Sequence, residues 1–300
     1  MEVEVHAITD IGRVRKENED NYLFLNLSSK TSGTKSNGSI DFGIGFQKFE
    51  VDDNGIVLAV SDGCGGALGG DMSSKMAVET VRDMLTGEIP NLEESFYEGG
   101  LIEKLYDATI YASHLIYHKG TTVPEYNQMG ATFTATAITP DTVDFIQVGD
   151  SRAYLFRNNK IYQITKDQSL VNQLIDSGQI SAEEADLHPL KNVILQALGA
   201  QNEVLPDAVR LIPNRDDILL LCSDGLSNKL KDQDLLKIIL DNFNELENAC
   251  SVLIQETNYL GGEDNITVIL AKLSGSDLLK STDDSVVIYP LNFENTAKRN

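Results

Sequence analysis

Ala131-Thr-Phe-Thr-Ala-Thr-Ala-Ile-Thr139, Thr142-Val-Asp-Phe-Ile-Gln-Val148, Ala153-Tyr-Leu-Phe-Arg157 and Ile161-Tyr-Gln-Ile-Thr165 follow one another with almost nothing between them. The runs are rich in β-branched and aromatic residues, and their links are Pro140-Asp141, Gly149-Asp-Ser-Arg152 and Asn158-Asn159. Links this short permit antiparallel hairpins but not parallel crossovers, which need a dozen residues or more. The stretch reads as an antiparallel meander and argues against a doubly wound parallel sheet.

Working outward, Ile56 to Val60 is a short apolar run consistent with a buried strand, and it breaks into Ser61-Asp-Gly-Cys-Gly-Gly-Ala-Leu-Gly-Gly70. Glu2 to Thr9, Asn21 to Leu27, Asp217 to Cys222 and Asn265 to Lys272 also read as strands. Apolar stripes predict helices over Asp71 to Leu85 and Leu101 to Leu115, and Asp232 to Leu260 supplies two more. Asp167 to Gly199 is helical in composition, with Ser181-Ala-Glu-Glu184 as a capping box. Strand groups and helix groups alternate in blocks, which predicts an α+β fold of packed sheets with helices outside. Ser28 to Ser39, rich in Ser, Gly, Thr and Lys, is expected to be a flexible excursion, and Ser274 onward an appendage.

Hydrophobic content of 41% and charged content of 23% are those of an ordinary globular protein. The formal net charge of −22 argues against nucleic acid and anionic membranes as partners, because both would be repelled. Cys64, Cys222 and Cys250 are far apart and form no Cys-x-x-Cys pair, so zinc chemistry is not indicated and a reducing compartment is. No apolar run approaches the ~18 residues of a membrane span, and Met1 to Asp10 has no signal-peptide core. A cytoplasmic protein is expected, with a monomer as the default.

The recurring chemical feature is an acidic residue at a strand end. Asp62 follows Val57 to Ser61, Asp150 follows Phe145 to Gly149, and Asp224 follows Leu219 to Ser223. Asp264 precedes the strand Asn265 to Leu270, and Glu19-Asp20 precede Asn21 to Leu27. One Asp-Gly pair is ordinary turn chemistry. Five such corners gathered at one edge would repel one another unless cations lay between them. Carboxylates without accompanying Cys, and with few His, select magnesium or manganese rather than zinc. Two such ions could acidify a bridging water and neutralise a phosphoryl group. Arg15, four residues before Glu19, offers a guanidinium to phosphate oxygens.

Taken in order, Arg15-Lys-Glu-Asn-Glu-Asp20, Ser61-Asp-Gly-Cys-Gly-Gly66 with Gly70, Gly149-Asp-Ser-Arg152, Ser223-Asp-Gly225 and Gly262-Glu-Asp-Asn265 resemble the motif set of the PP2C-type (PPM family) protein phosphatases, bacterial branch. Gln163 to Val171, continuing through Gly178 and His188-Pro189 to Ala197-Leu-Gly199, resembles that branch's flap. The likeness runs from about Ile8 to Leu273. It implies an antiparallel β-sandwich of two sheets flanked by helices on both outer faces, within a phosphatase domain at 1–273. Residues 28–54 would be an insertion, 167–199 the flap and 274–300 a C-terminal extension. It also implies a binuclear Mg²⁺ or Mn²⁺ centre. Asp62 would bridge the metals, Asp224 and Asp264 would complete the first site, and Glu19 with the Gly63 carbonyl would hold the second. Asp20 would orient water, Asp150 would join Asp224 at a third, weaker site, and Arg15 would bind phosphate. The implied activity is hydrolysis of phosphoserine and phosphothreonine in proteins by metal-activated water, opposite a serine/threonine kinase. A catalytically weak phosphoprotein-binding module and a hydrolase of small phosphomonoesters are the alternatives.

The sequence departs from the family at Cys64, where other members carry His or Met. A general acid contributes ~10²–10⁴-fold, small beside the up to ~10²¹-fold that phosphomonoester hydrolysis can require. No Cys-x5-Arg loop surrounds Cys64, since position 70 is Gly, so it is not expected to be a nucleophile. Ala131 and the loop Ala67-Leu-Gly69 also differ from commoner family residues and bear on packing and loop shape. His114 and His118 have metal-binding spacing but no evident third ligand and read as a surface pair. The glycine-rich loop after Asp62 lacks the Gly-Lys-Ser/Thr of a nucleotide site.

Overall fold

The computed structural model describes residues 1–35, 48–65, 68–89, 99–280 and 285–293. The N-terminal third supplies β1 (Glu2–Asp10), β2 (Asp20–Asn26), β3 (Thr31–Thr34), β4 (Lys48–Glu50) and β5 (Ile56–Cys64), then α1 (Gly69–Thr86) and α2 (Leu101–Thr122). The middle supplies β6 (Gly130–Ala131), β7 (Phe133–Ile138), β8 (Val143–Val148), β9 (Arg152–Arg157) and β10 (Lys160–Gln163), followed by the short helices α3 (Leu170–Asp176) and α4 (Ala182–Asp186). The last third runs β11 (Asp207–Leu211), β12 (Ile218–Cys222), α5 (Asp224–Ser227), α6 (Asp232–Asp241), α7 (Leu246–Tyr259), β13 (Ile266–Ser274) and β14 (Tyr289–Leu291).

Two antiparallel sheets stack face to face. One has the order β10-β9-β12-β13-β1-β4, the other β14-β11-β8-β7-β5-β2-β3, with β6 paired to the end of β5. The period of two in each strand divides its side chains between layers. From β5, Ile56, Leu58 and Val60 enter the core between the sheets, while Val57 and Ala59 pack under α1 and α2. From β13, Ile269, Ala271 and Leu273 face inward, while Ile266, Val268 and Leu270 pack under α5–α7. Each large aliphatic side chain so buried stabilises the fold by roughly 1.5–3 kcal/mol. A strand needed on both faces must be apolar throughout, so β5 and β12 read as continuous apolar runs.

Several local expectations change. β7 and β8 pair as a hairpin, and so do β9 and β10, but the two hairpins belong to opposite sheets. The four runs are therefore not one meander. The chain crosses between sheets at Gly149 to Arg152, where Gly149 has φ +97° and a Cβ would lie 2.7 Å from Thr132 Cγ2. Thr31–Thr34, inside the expected flexible excursion, is a strand on β2, and residues 36–47 lie outside the described set. Within 167–199 only two short helices form, though the Ser181–Glu184 capping box is present. β11 carries no pattern that singles it out, and Tyr289–Leu291 pairs with it from beyond residue 274.

Candidate metal centre

The strand pairing that makes the sandwich also assembles the acids. β2 and β5 run antiparallel with Asp20 directly opposite Asp62. Asp150 lies in the crossing between β8 and β9, Asp224 opens α5 after β12, and Asp264 stands two residues before β13. Arg15, Glu19, Asp62 and the Gly63 backbone line one cleft of about 520 Å³, and Asp150, Asp224 and Asp264 line it with them. Asp20 lies beneath, fully buried. All eight positions singled out in the sequence are thus brought to one end of the sandwich.

Backbone packing explains the glycines there. A Cβ on Gly63 would lie 2.0 Å from the Gly70 carbonyl oxygen, and one on Gly70 would lie 2.5 Å from Glu19 Oε2. Backbone packing therefore demands glycine at 63, while a Cβ at 70 would displace the Glu19 carboxylate. Asn265 fastens the Arg15 loop to the Asp264 corner. Its Oδ1 accepts from the Glu19 N–H at 2.8 Å, and its Nδ2 donates to the Ile11 and Glu17 carbonyls at 3.0 Å each. Thr132 Oγ1 accepts from the Asp62 N–H at 2.9 Å and meets Ser151 Oγ at 2.7 Å, joining two acidic corners through one hydroxyl.

The electrostatics are those of carboxylates short of positive charge. Burial lifts Asp62 well above the usual carboxylate range, and the charges of Asp20, Asp224, Asp150 and Asp264 add to it. Burial pushes Asp150 up to about 8, with Asp224 and Asp167 contributing. Asp20 is pushed up to about 7 by burial, even though the Ser223 and Thr267 hydroxyls donate to its Oδ2 at 2.7 Å each. Asp224 rises through burial and the Asp264 charge, and Glu19 rises through burial against the pull of Arg15. Arg15 is the one guanidinium lining the cleft among the described residues, and it donates to Asp264 Oδ2 at 2.7 Å.

Oxygen-only donors suit hard divalent cations. The buried Asp20 Oδ1 and Asp224 Oδ1 have no hydrogen-bond partner, so acceptor capacity stands unfilled. Among the described residues no three acidic, His or Cys groups form a closed cage. The residues fit cation binding. Cys64 sits exposed at the rim, but partial burial of its thiol and the Asp150 and Glu19 charges raise its pKa, which disfavours the thiolate. His114 and His118 are exposed on α2.

Sequence reasoning did not single out Thr132, Asn192 and Ile194 in the lining, or Ser223 and Thr267 on Asp20. Ser223 carried one visible signal, since a serine precedes both Asp62-Gly63 and Asp224-Gly225. The others come from parts of the chain far from one another in sequence: Thr132 between β6 and β7, Asn192 and Ile194 in segment 167–199, and Thr267 on β13.

A helix-clad antiparallel sandwich with a cleft of oxygen ligands at one end is the build of phosphatases that work with divalent cations. The chain belongs to the protein phosphatase 2C family, whose model, described as "Protein phosphatase 2C", matches residues 45–256. It is 34% identical over 264 residues to the serine/threonine phosphatase stp of Listeria welshimeri, covering 88% of this chain and 93% of that protein. The Mycobacterium tuberculosis serine/threonine phosphatase PstP/Ppp superposes with a TM-score of 0.73 at 29% identity, covering 92% of this chain and 100% of that one. A structure of the PstP catalytic domain in complex with two manganese ions gives 0.71 at 28% identity, covering 91% of this chain and 99% of that one.

Proposed function

We propose that the protein removes phosphate from phosphoserine and phosphothreonine in proteins, by attack of water at a centre of Mg²⁺ or Mn²⁺ ions. The observation that carries this is the convergence of carboxylates from separate strand ends around a single lining guanidinium in one cleft. Bound cations would supply an acidified water and neutralise phosphoryl charge.

One cation would be held by Asp62 with Asp224 and Asp264, a second by Asp62 with Glu19 and the Gly63 carbonyl, and a third, weaker one by Asp150 with Asp224. Asp20, fixed through Oδ2 by two hydroxyls, keeps Oδ1 for orienting water. Arg15 exchanges Asp264 for the phosphate oxygens, where its fork can make paired hydrogen bonds. Segment 167–199, which contributes Asn192 and Ile194 to the cleft wall, faces the protein substrate.

The substrates are phosphorylated proteins, and the role is signalling opposite a serine/threonine kinase, as a monomer in the cytoplasm. Three free cysteines support a reducing compartment. Among the described residues no helix is long and apolar enough to cross a membrane.

The test is hydrolysis of a phosphothreonine peptide with manganese, magnesium or chelator, beside a phosphotyrosine peptide, a sugar phosphate and the Asp224→Asn variant. Metal-dependent turnover that favours the phosphothreonine peptide and drops at least ~10³-fold in the variant is expected. A folded wild type inactive with both metals leaves a phosphoprotein-binding module in its place, and a preference for the sugar phosphate leaves a small-molecule hydrolase.

A further inference from the structure

The crossing Gly149-Asp-Ser-Arg152 carries one acid of the cleft and also takes the chain from sheet to sheet. Two consecutive residues at the start of segment 167–199 grip it at both ends. The Arg152 guanidinium donates to Asp167 through Nε at 2.9 and 3.0 Å and through Nη2 at 2.6 Å. Gln168 closes a ring on Gly149: its backbone N–H donates to the Gly149 carbonyl at 2.9 Å, and its Oε1 accepts from the Gly149 N–H at 2.9 Å.

The same residue reaches outward. Gln168 Nε2 donates to Asp207 Oδ2 at the start of β11 at 2.9 Å, and the Gln168 carbonyl accepts from the Leu195 N–H at 2.7 Å. Leu195 follows Ile194, which lines the cleft with Asn192. One side chain and its own peptide groups therefore tie the Asp150 corner to β11 and to the returning limb of the segment. Gly149 has no side chain with which to anchor itself and sits at φ +97°. Its peptide orientation, which sets where Asp150 points, depends on bonds from elsewhere.

We propose that Gln168 is a positioning residue that fixes Asp150 to the root of segment 167–199, so that divalent-cation affinity at the Asp150–Asp224 pair follows the seating of that segment. This rests on the reading of the cleft as a metal centre. Residues that orient a ligand without touching the metal typically change affinity by ~10–100-fold when removed. Gln168 acts through backbone, so the low end, about tenfold, is expected.

Calorimetric titration of the full chain with Mn²⁺, without substrate, tests it in wild type, Gln168→Ala, Asp150→Asn and the double variant. Gln168→Ala should weaken the weakest binding event about tenfold and leave the tighter ones unchanged, with faster amide exchange at Gly149. Asp150→Asn should remove that event, and adding Gln168→Ala should change nothing more, because the two act on one site. Gln168→Glu keeps the Gly149 contact but sets a second carboxylate against Asp207. It should weaken the same event by a smaller factor, and it decides the matter if Gln168→Ala does not fold. A Gln168→Ala or Gln168→Glu isotherm that superimposes on wild type overturns the proposal and leaves the metal centre standing. A further loss in the double variant also overturns it, since the effect would then be general damage. A folded wild type that binds no Mn²⁺ removes both.

Discussion

The carboxylates that flank β12 are held in opposite ways. At the start, Asp217 is fully buried and receives the Arg157 guanidinium on both oxygens, at 2.8 and 2.6 Å, with the Asn214 N–H at 2.8 Å. Burial raises its pKa, but the Arg157 hydrogen bonds and charge pull it back. Past the other end, Asp224 stands among Asp62, Asp20 and Asp264 with Oδ1 unpartnered. The nearest guanidinium on β9, Arg152, is already taken by Asp167. At one end the protein encodes the counter-charge, and at the other it leaves the counter-charge to be bound. A carboxylate cluster with one guanidinium, that of Arg15 on Asp264, carries more negative charge than it matches and fits cation binding, while a matched pair is structure.

The largest effects should separate the two ends. Asp62→Asn should cut metal-dependent hydrolysis at least ~10³-fold, and because it removes a repelled charge, the metal-free protein should melt no lower than wild type. Arg157→Met should do the converse and lower stability by about 3–5 kcal/mol through a stranded Asp217, with Mn²⁺ affinity unchanged by calorimetry. Loss of cation binding in Arg157→Met, or unfolding of Asp62→Asn, would break the distinction.

A smaller effect is the pH dependence of cation stabilisation. Asp20, Asp62, Asp150 and Asp224 have folded pKa values above their ordinary ones, near 7 for Asp20 and near 8 for Asp150. Between about pH 4 and 8 the folded metal-free protein therefore holds more protons than the unfolded chain. Its stability from these groups is full at low pH and is lost as pH rises through the folded values. Protons and cations compete for the same oxygens. The rise in Tm on adding magnesium should be larger at pH 8 than at pH 6, despite Arg15 beside the cluster. Equal rises at the two pH values would show that the cluster is not what binds the ion.

The smallest effect concerns the rim. Cys64→Ser should leave hydrolysis within about threefold of wild type, because a thiol held protonated is neither the nucleophile nor a strong proton donor. A loss beyond ~10²-fold would put Cys64 in the chemistry.

Legibility followed distance along the chain. Helices α1, α2, α6 and α7 and strands β1, β2, β5, β12 and β13 could be read directly, because period and strand-end chemistry are local. Asp62, Asp150, Asp224 and Asp264 announced themselves through acids beside apolar runs. β3, β11 and β14 did not, being short strands whose identity comes from the neighbours that accept them. The split of the 131–165 hairpins between two sheets was equally hidden, since Gly149 to Arg152 suits a turn within a sheet as well as a passage between sheets.

Local patterns along the chain specify which residues are strand and which helix in the long elements and which acids stand at strand ends, and their oxygen donors point to hard cations. That Asp20 faces Asp62, that Arg152 serves Asp167 while Arg157 serves Asp217, and that Gln168 holds Gly149 emerges with the packing of the sheets. Periodicity and donor chemistry belong to neighbouring residues, whereas partner choice belongs to residues that only the packed sheets bring within hydrogen-bonding distance.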